Sequence, residues 1–332
     1  MMKVCFIGSG AWATALANVV SDNNHEAVLY GIIEEEINDI NINHQNSKYF
    51  NEIKINSNIT ATLNIEEALK DSEIVVIAVP SNQIRNVLQK IEKIINSRPI
   101  ILNVSKGFDN VTHKRLSEVI KESIDNSKIA GVVSLIGPSY AEEVISRYYT
   151  AICSVSSSIK CAEKVQEVFS NQYFRVYTNT DEIGSEVGAG IKNVIAIASG
   201  ILTGLGYKDN SRAALITRGL AEIARYGVAL GANQKTFAGL TGIGDLFLTC
   251  SSKTSRNYSC GIEIGKLDSS YEFLKNNNKT IEGIYACKII HESALKLNID
   301  MPIVKAVYEV LYNNKKPSEE LANLMKRELK GE

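Results

Sequence analysis

The chain has 332 residues, 45% of them apolar and 22% charged, with a formal net charge of −1 from 36 basic and 37 acidic side chains. That length exceeds what one hydrophobic core usually supports, so two domains are expected in a folded globular protein. The balanced charge excludes the broad basic surfaces that condense on nucleic acid or on anionic membranes. An anionic ligand must therefore be held by a few placed groups. Six scattered cysteines without a C-x-x-C pair, beside four histidines, offer little from which to build a metal site. Buried reduced thiols in a cytoplasmic protein are expected, and no metal.

Taken in chain order, the start needs care. Lys3, the apolar stretch Val4 to Val20 and the small Ala15-Leu16-Ala17 imitate a secretory signal peptide. Trp12, Thr14 and the glycines interrupt the run, and cleavage after Ala17 would remove the most informative motif in the chain. The segment is read as structure. Elsewhere the apolar runs, such as Ile74 to Pro80, are too short to cross a bilayer, and no stable membrane anchor is expected.

Short β-branched runs predict strands at Lys3–Ile7, Glu26–Tyr30, Ile74–Val79, Ile100–Val104, Ile129–Ile136, Thr150–Ser154 and Phe174–Thr178. Helical spacing between them predicts helices at Ala11–Asp22, Asn64–Leu69, Gln83–Ile95, Thr112–Ser123 and Ser158–Ser170. The Asn- and Ile-rich stretch Asn38–Thr60 has no clear period and reads mostly as loop. After about Asp181 no strong strand appears, and helices are expected at Gly184–Leu205, Arg212–Leu230, Gly244–Cys250, Gly283–Leu297, Ile303–Tyr312 and Glu319–Lys330. The expectation is an α/β, Rossmann-like domain with a mainly parallel sheet over 1–180, then an all-α domain over 181–332. One helix is expected to run from one into the other.

Gly8-Ser9-Gly10-Ala11-Trp12-Ala13 directly follows the first strand and opens a helix. Gly8 permits a tight turn, Gly10 lets backbone approach a pyrophosphate, and Ala13 is small where helix must pack on strand. The helix N-terminus then offers N–H groups to the phosphates. The second strand ends Leu29-Tyr30-Gly31-Ile32-Ile33, followed by Glu34-Glu35-Glu36. An acid there suits the ribose hydroxyls of NAD, and an arginine the 2′-phosphate of NADP. The three acids also suit a solvated helix start. No basic side chain is nearby, so NAD is the expected cofactor, with NADP possible should Lys48 or Lys54 arrive from the loop.

Further strings carry chemistry. Lys106, in Ser105-Lys106-Gly107, falls just past a strand end, where open α/β sheets bind ligands. Gly137-Pro138-Ser139-Tyr140-Ala141 passes from strand to helix. Lys192 lies in a helix otherwise small and apolar, where burial is expected and a buried lysine without a task is costly. Asp245 stands at a helix start, and Ser255-Arg256-Asn257 reads as a polar trio in a loop. Plainer readings exist: Lys106 and Arg256 as surface charges, Asp245 as a helix cap.

The ordered set resembles the NAD(P)-dependent glycerol-3-phosphate dehydrogenase family over nearly the whole chain. The resemblance rests on Gly8–Ala17, Val79–Ser81, Ser105–Gly107, Gly137–Ala141, Gly190–Ile197, Arg212–Leu220, Gly244–Cys250, Ser255–Asn257 and Glu282–Gly283. It implies interconversion of dihydroxyacetone phosphate and sn-glycerol 3-phosphate, feeding glycerophospholipid synthesis, in a homodimer. It implies Lys192 as the catalytic acid/base, with Lys106 and Asp245 as further catalytic groups, and Lys106, Gly137, Ser139, Lys192, Asp245, Ser255, Arg256 and Asn257 around the substrate. The cofactor would touch Ala11, Trp12, Lys106, Ala141, Arg256, Ile281 and Glu282. Relatives often carry Arg or His at Ile32 and tyrosine at Trp12, so their coenzyme preference does not transfer directly. Two other readings fit the residues: a related hydroxyacid dehydrogenase of the 6-phosphogluconate or 3-hydroxyisobutyrate type, and an NAD-sensing module without turnover.

Overall fold

The computed structural model describes residues 1–277, 281–329 and 331. The chain divides into two compact units, Met1–Glu182 and Ile183–Glu332.

The first unit is built on an eight-stranded sheet in the order β3-β2-β1-β4-β5-β6-β7-β8. The strands are β1 (Lys3–Ile7), β2 (Glu26–Tyr30), β3 (Thr60–Thr62), β4 (Ile74–Ile77), β5 (Ile100–Asn103), β6 (Gly131–Ile136), β7 (Thr150–Val155) and β8 (Phe174–Asn179). Only the β6/β7 pair is antiparallel. Its helices are α1 (Ala11–Asp22), α2 (Glu34–Asn38), α3 (Ser47–Phe50), α4 (Ile65–Leu69), α5 (Ile84–Ile94), α6 (Leu116–Ser123), α7 (Ala141–Ile145) and α8 (Ile159–Phe169). Runs such as Ile74-Val75-Val76-Ile77 are apolar throughout because helices cover both faces of a parallel sheet. Val4 and Phe6 enter one buried cluster with α1 and α8, whereas Cys5 and Ile7 enter the other with α5 and α6. Successive side chains of a strand point to opposite faces, which divides them so.

The seven predicted strands form, with ends shifted by a few residues. The structure adds β3, which pairs with β2 alone among the described strands. It also corrects the reading of Asn38–Thr60 as loop: a π-helical turn at Asp39–Asn43 and α3 lie within it.

The second unit is helical: α9 (Glu182–Gly204), α10 (Asp209–Ala229), α11 (Asp245–Ser251), α12 (Arg256–Leu267), α13 (Tyr271–Asn276), α14 (Glu282–Lys296), α15 (Pro302–Tyr312) and α16 (Pro317–Met325). The predicted end of the last helix at Lys330 lies outside the described residues. The unit boundary falls at the first residue of α9. Contrary to the sequence reading, α9 is long and apolar enough by composition to cross a membrane; 89% of its most apolar window is buried in the fold.

Two glycine pairs make α9 and α12 touch. A Cβ on Gly200 would lie 2.1 Å from the Tyr258 carbonyl oxygen, and one on Gly261 2.1 Å from that of Ile197. One turn on, a Cβ on Gly204 would meet the Ile262 oxygen at 2.2 Å, and one on Gly265 the Ile201 oxygen at 2.4 Å. Only glycine permits such an approach of two backbones. Elsewhere in the unit the buried Glu222 carboxylate accepts N–H bonds from Ile303 (2.7 Å) and Val304 (3.2 Å) at the start of α15. Burial nevertheless pushes its carboxyl up to about 7.

All six cysteines are free thiols in buried positions, three in each unit. Burial pushes Cys5 and Cys260 up to about 12 and Cys153 to about 11, and raises Cys250 and Cys287 as well.

Candidate active site

In the first unit, β1 is flanked by β2 on one side and β4 on the other, so the chain reverses direction across the sheet at β1. Ligands bind such sheets outside the carboxyl ends of the strands at this switch point. The Gly8–Ala13 turn occupies that place. Gly8 has φ +121°, and a Cβ there would lie 2.6 Å from the Ala78 carbonyl oxygen, so backbone already fills the space. At Gly10, by contrast, a Cβ would have nothing within 4 Å. Open space at the N-cap of α1 is what a pyrophosphate seated on the helix N-terminus requires. Ala13 is buried against the sheet; Ala11 and Trp12 are half-buried.

Lys106 follows β5 in a turn tied at several points. The Ser105 hydroxyl donates to the Val79 carbonyl at 2.6 Å, and Asn103 exchanges hydrogen bonds with the Ser105 backbone at 3.1 Å. Gly107 takes φ +107°, a left-handed value suited to glycine. Arg85 grips Asp109 with two nitrogens at 3.0 and 2.8 Å, and Thr112 donates to the same carboxylate. Burial opposes ionisation of Asp109, but these donors outweigh it and hold the carboxyl down at about 2. After β6, the Ser139 hydroxyl lies 3.3 Å from the Gly137 carbonyl, and Ala141 opens α7.

The second unit gathers most of the remaining candidates. Lys192 is 3% exposed on α9, and its ammonium forms an ion pair with Asp245, 1% exposed at the first position of α11. The helix-cap reading of Asp245 therefore gives way to a partnership with the lysine. Beside this pair, Asn257 Nδ2 donates to Asn193 Oδ1 at 3.0 Å, and Asn257 Oδ1 accepts from the Gly283 N–H at 2.9 Å. Asn193 Nδ2 reaches Glu282 at 3.4 Å, and Arg256 lies 3.8 Å from the same carboxylate.

Ser255-Arg256-Asn257 is not a loop, as the sequence suggested, but the start of α12. Ser255 is its N-cap, accepting from Tyr258 N at 3.2 Å. Asn257 is buried, whereas the Arg256 side chain is 64% exposed. Ile281 is the buried residue that precedes α14, and Glu282 begins it. The residue that sequence reasoning did not single out is Asn193. It is a buried amide next to Lys192, and that adjacency was the available signal.

A glycine-rich turn at a sheet's switch point suits a dinucleotide, and a buried ammonium beside a carboxylate suits the passage of a proton to or from an oxygen. A chain with both has the equipment of a nicotinamide-dependent dehydrogenase. The sequence profile for the NAD-dependent glycerol-3-phosphate dehydrogenase N-terminus matches residues 3–162, and that for its C-terminus matches residues 181–322. The glycerol-3-phosphate dehydrogenase [NAD(P)+] of Listeria monocytogenes is 46% identical over 328 residues, 99% of this chain and 97% of that one. That of Staphylococcus saprophyticus is 44% identical over 332 residues, the whole of both chains. The crystal structure of the Coxiella burnetii glycerol-3-phosphate dehydrogenase superposes with a TM-score of 0.89 at 30% identity, over 98% of each chain. The chain belongs to the NAD(P)-dependent glycerol-3-phosphate dehydrogenase family, and is an oxidoreductase that uses a nicotinamide cofactor.

Proposed function

We propose that Lys192 is the general acid/base through which this chain interconverts dihydroxyacetone phosphate and sn-glycerol 3-phosphate. The observation that carries this is the buried ion pair between Lys192 and Asp245. The nicotinamide, when bound, supplies or takes the hydride. As the ketone carbon is reduced, negative charge develops on its oxygen; the Lys192 ammonium hydrogen-bonds that oxygen and then delivers a proton to it. In oxidation the neutral amine takes the hydroxyl proton. Asp245 holds the ammonium in place through the ion pair.

Arg256 and Asn257, at the N-terminus of α12, suit the substrate phosphate. Arginine offers several charge-assisted donors, and the helix end adds its dipole. Lys106, Gly137 and Ser139 are carried over from the family as further substrate groups. The reading is tested by following nicotinamide absorbance with dihydroxyacetone phosphate. A hydroxyacid dehydrogenase would leave this substrate and oxidise 3-hydroxyacids; a sensing module would bind NADH without turnover. Arg256→Ala is expected to raise the Michaelis constant for dihydroxyacetone phosphate by about tenfold or more, since a hydrogen bond to a charged group contributes about 1.5–3 kcal/mol. Unphosphorylated dihydroxyacetone should be little affected. An equal loss on both would assign Arg256 to the cofactor or to folding.

NADH is proposed as the preferred coenzyme. Ile32, just past β2, is 82% exposed and offers nothing to a 2′-phosphate. Of the two lysines that could have substituted, Lys48 reaches the neighbourhood of the turn but is paired with Glu36 at 2.6 Å, and Lys54 is bonded to the Asn43 carbonyl at 2.8 Å. A partly desolvated phosphate without donors loses hydration for nothing. The expected result is a higher kcat/KM with NADH than with NADPH at low salt, and a shift toward NADPH in Ile32→Arg. Equal use of both by the unmodified enzyme would show that a base has arrived from elsewhere.

A further inference from the structure

The segment Glu34–Phe50, which runs from the acidic trio into the stretch without a clear period, reaches back to the glycine-rich turn. Asn46, 1% exposed, donates from Nδ2 to the Ser9 carbonyl at 2.8 Å and to the Thr14 hydroxyl at 2.9 Å. Glu36, 6% exposed, accepts from the Ser9 hydroxyl at 2.7 Å and is paired with Lys48 at 2.6 Å. Gly31 leaves room for this contact, since a Cβ there would lie 2.6 Å from Ser9 Oγ. Ser9 is thus held at both its backbone and its side chain by residues far along the chain.

We propose that Asn46 and Glu36 are positioning residues for the dinucleotide: they set the phosphate-facing turn in its binding conformation before the cofactor arrives. The peptide plane gives the reason. In a trans peptide the C=O and the following N–H point in opposite directions. Fixing the Ser9 carbonyl on Asn46 therefore fixes the Gly10 N–H on the far side, at the mouth of α1. Thr14, the second partner of Asn46, lies on α1 itself and donates from its backbone N–H to the Gly10 carbonyl at 3.0 Å. One amide thereby sets the turn and the first turn of the helix relative to each other.

The arrangement has a cost that packing alone does not explain. Among the described residues, Asn46 Oδ1 is buried without a hydrogen-bond donor. A buried acceptor left so is disfavoured, and an apolar side chain would fill the space without that cost. What asparagine adds is its two N–H donors, one aimed at the turn and one at the first turn of α1. Glu36 is likewise an acid taken out of water, and its Ser9 contact explains why the third glutamate of the run faces inward while Glu34 and Glu35 are exposed.

The inference rests on the reading of Gly8–Ala13 as the dinucleotide site, and the experiment separates the two. NADH is titrated by fluorescence against the full chain and against Asn46→Ala, Glu36→Ala, Glu36→Gln and Gly10→Ala. Melting temperature and hydrogen exchange of the Gly10–Ala13 amides are measured without cofactor. Asn46→Ala is expected to weaken NADH about tenfold and to speed exchange of those amides in the free protein, with kcat at saturating NADH changed about twofold or less. Glu36→Ala should weaken NADH too, and Glu36→Gln, which keeps an acceptor for Ser9, should restore most of the affinity. Gly10→Ala has nothing to clash with in the chain itself, so its loss of NADH affinity reports the dinucleotide. Normal NADH binding by Gly10→Ala overturns the site reading and this inference with it. Loss in Gly10→Ala with unchanged binding in Asn46→Ala and Glu36→Ala overturns the positioning role alone. Weaker binding with unchanged exchange in the free protein also overturns it, because the turn would then have been set without Asn46.

Discussion

Lys192→Ala is expected to lower kcat for dihydroxyacetone phosphate reduction by about 10²–10⁴-fold, the range for removal of a positioned proton donor. NADH affinity should stay nearly unchanged. The separation follows from where the lysine sits: on α9, against Asp245, and not in the glycine-rich turn. Truncating one member of a buried ion pair leaves the other charge buried, at a cost of about 3–5 kcal/mol. The single variant can therefore lose stability as well as activity. Lys192→Ala with Asp245→Asn removes both charges, so the double variant should recover stability and remain inactive. Steady-state rates, NADH titration and thermal melts distinguish these effects. A double variant that folds and turns over near the normal rate would end the assignment of Lys192.

A second large effect is expected from one methyl group. Gly261→Ala places its Cβ 2.1 Å from the Ile197 carbonyl oxygen and 2.9 Å from Gly200 Cα, both backbone atoms of α9. No side chain can rotate away, so two helices must part. Overpacking a core costs about 1–3 kcal/mol and sometimes more, and rigid backbone on both sides puts this case at the upper end, about 3 kcal/mol. For a unit of this size that corresponds to a fall in Tm of about 6–12 °C. Gly10→Ala, with open space around its Cβ, is the control and should melt normally. Activity should fall along with stability, because α9 carries Lys192 and Asn193 while α12 begins with Arg256 and Asn257. A Gly261→Ala protein with unaltered Tm would mean that the helices do not cross this closely.

The same crossing explains what the sequence hid. α12 escapes a reading by helical spacing because Gly261 and Gly265 lower helix propensity, and its polar start looks like a loop. The glycines are there for α9, a tertiary reason that no local window contains; matching Gly-x-x-x-Gly spacings at Gly200 and Gly261 were the only clue. By contrast, β1, β4 and β5 are legible because strands buried on both faces must be apolar at every position. β3 is three residues long, Thr60-Ala61-Thr62, and too short for any period to show. For the site, Lys192 was readable because a lysine set among small and apolar residues demands a partner, and Asp245 is that partner. Asn193 and Asn46 were not, since a neutral amide carries no comparable penalty to mark it, and its partners lie tens of residues away.

The buried thiols make the molecule its own clock. A thiol that is shielded reacts slowly with alkylating reagents, because the reagent must reach the sulfur to react with its thiolate. Alkylation of this protein in its native state should therefore wait on opening of the surrounding structure. Cys5, Cys153 and Cys161 report on the first unit, and Cys250, Cys260 and Cys287 on the second. Peptide masses after a brief pulse of reagent would thus time each unit's opening separately, without a single introduced label.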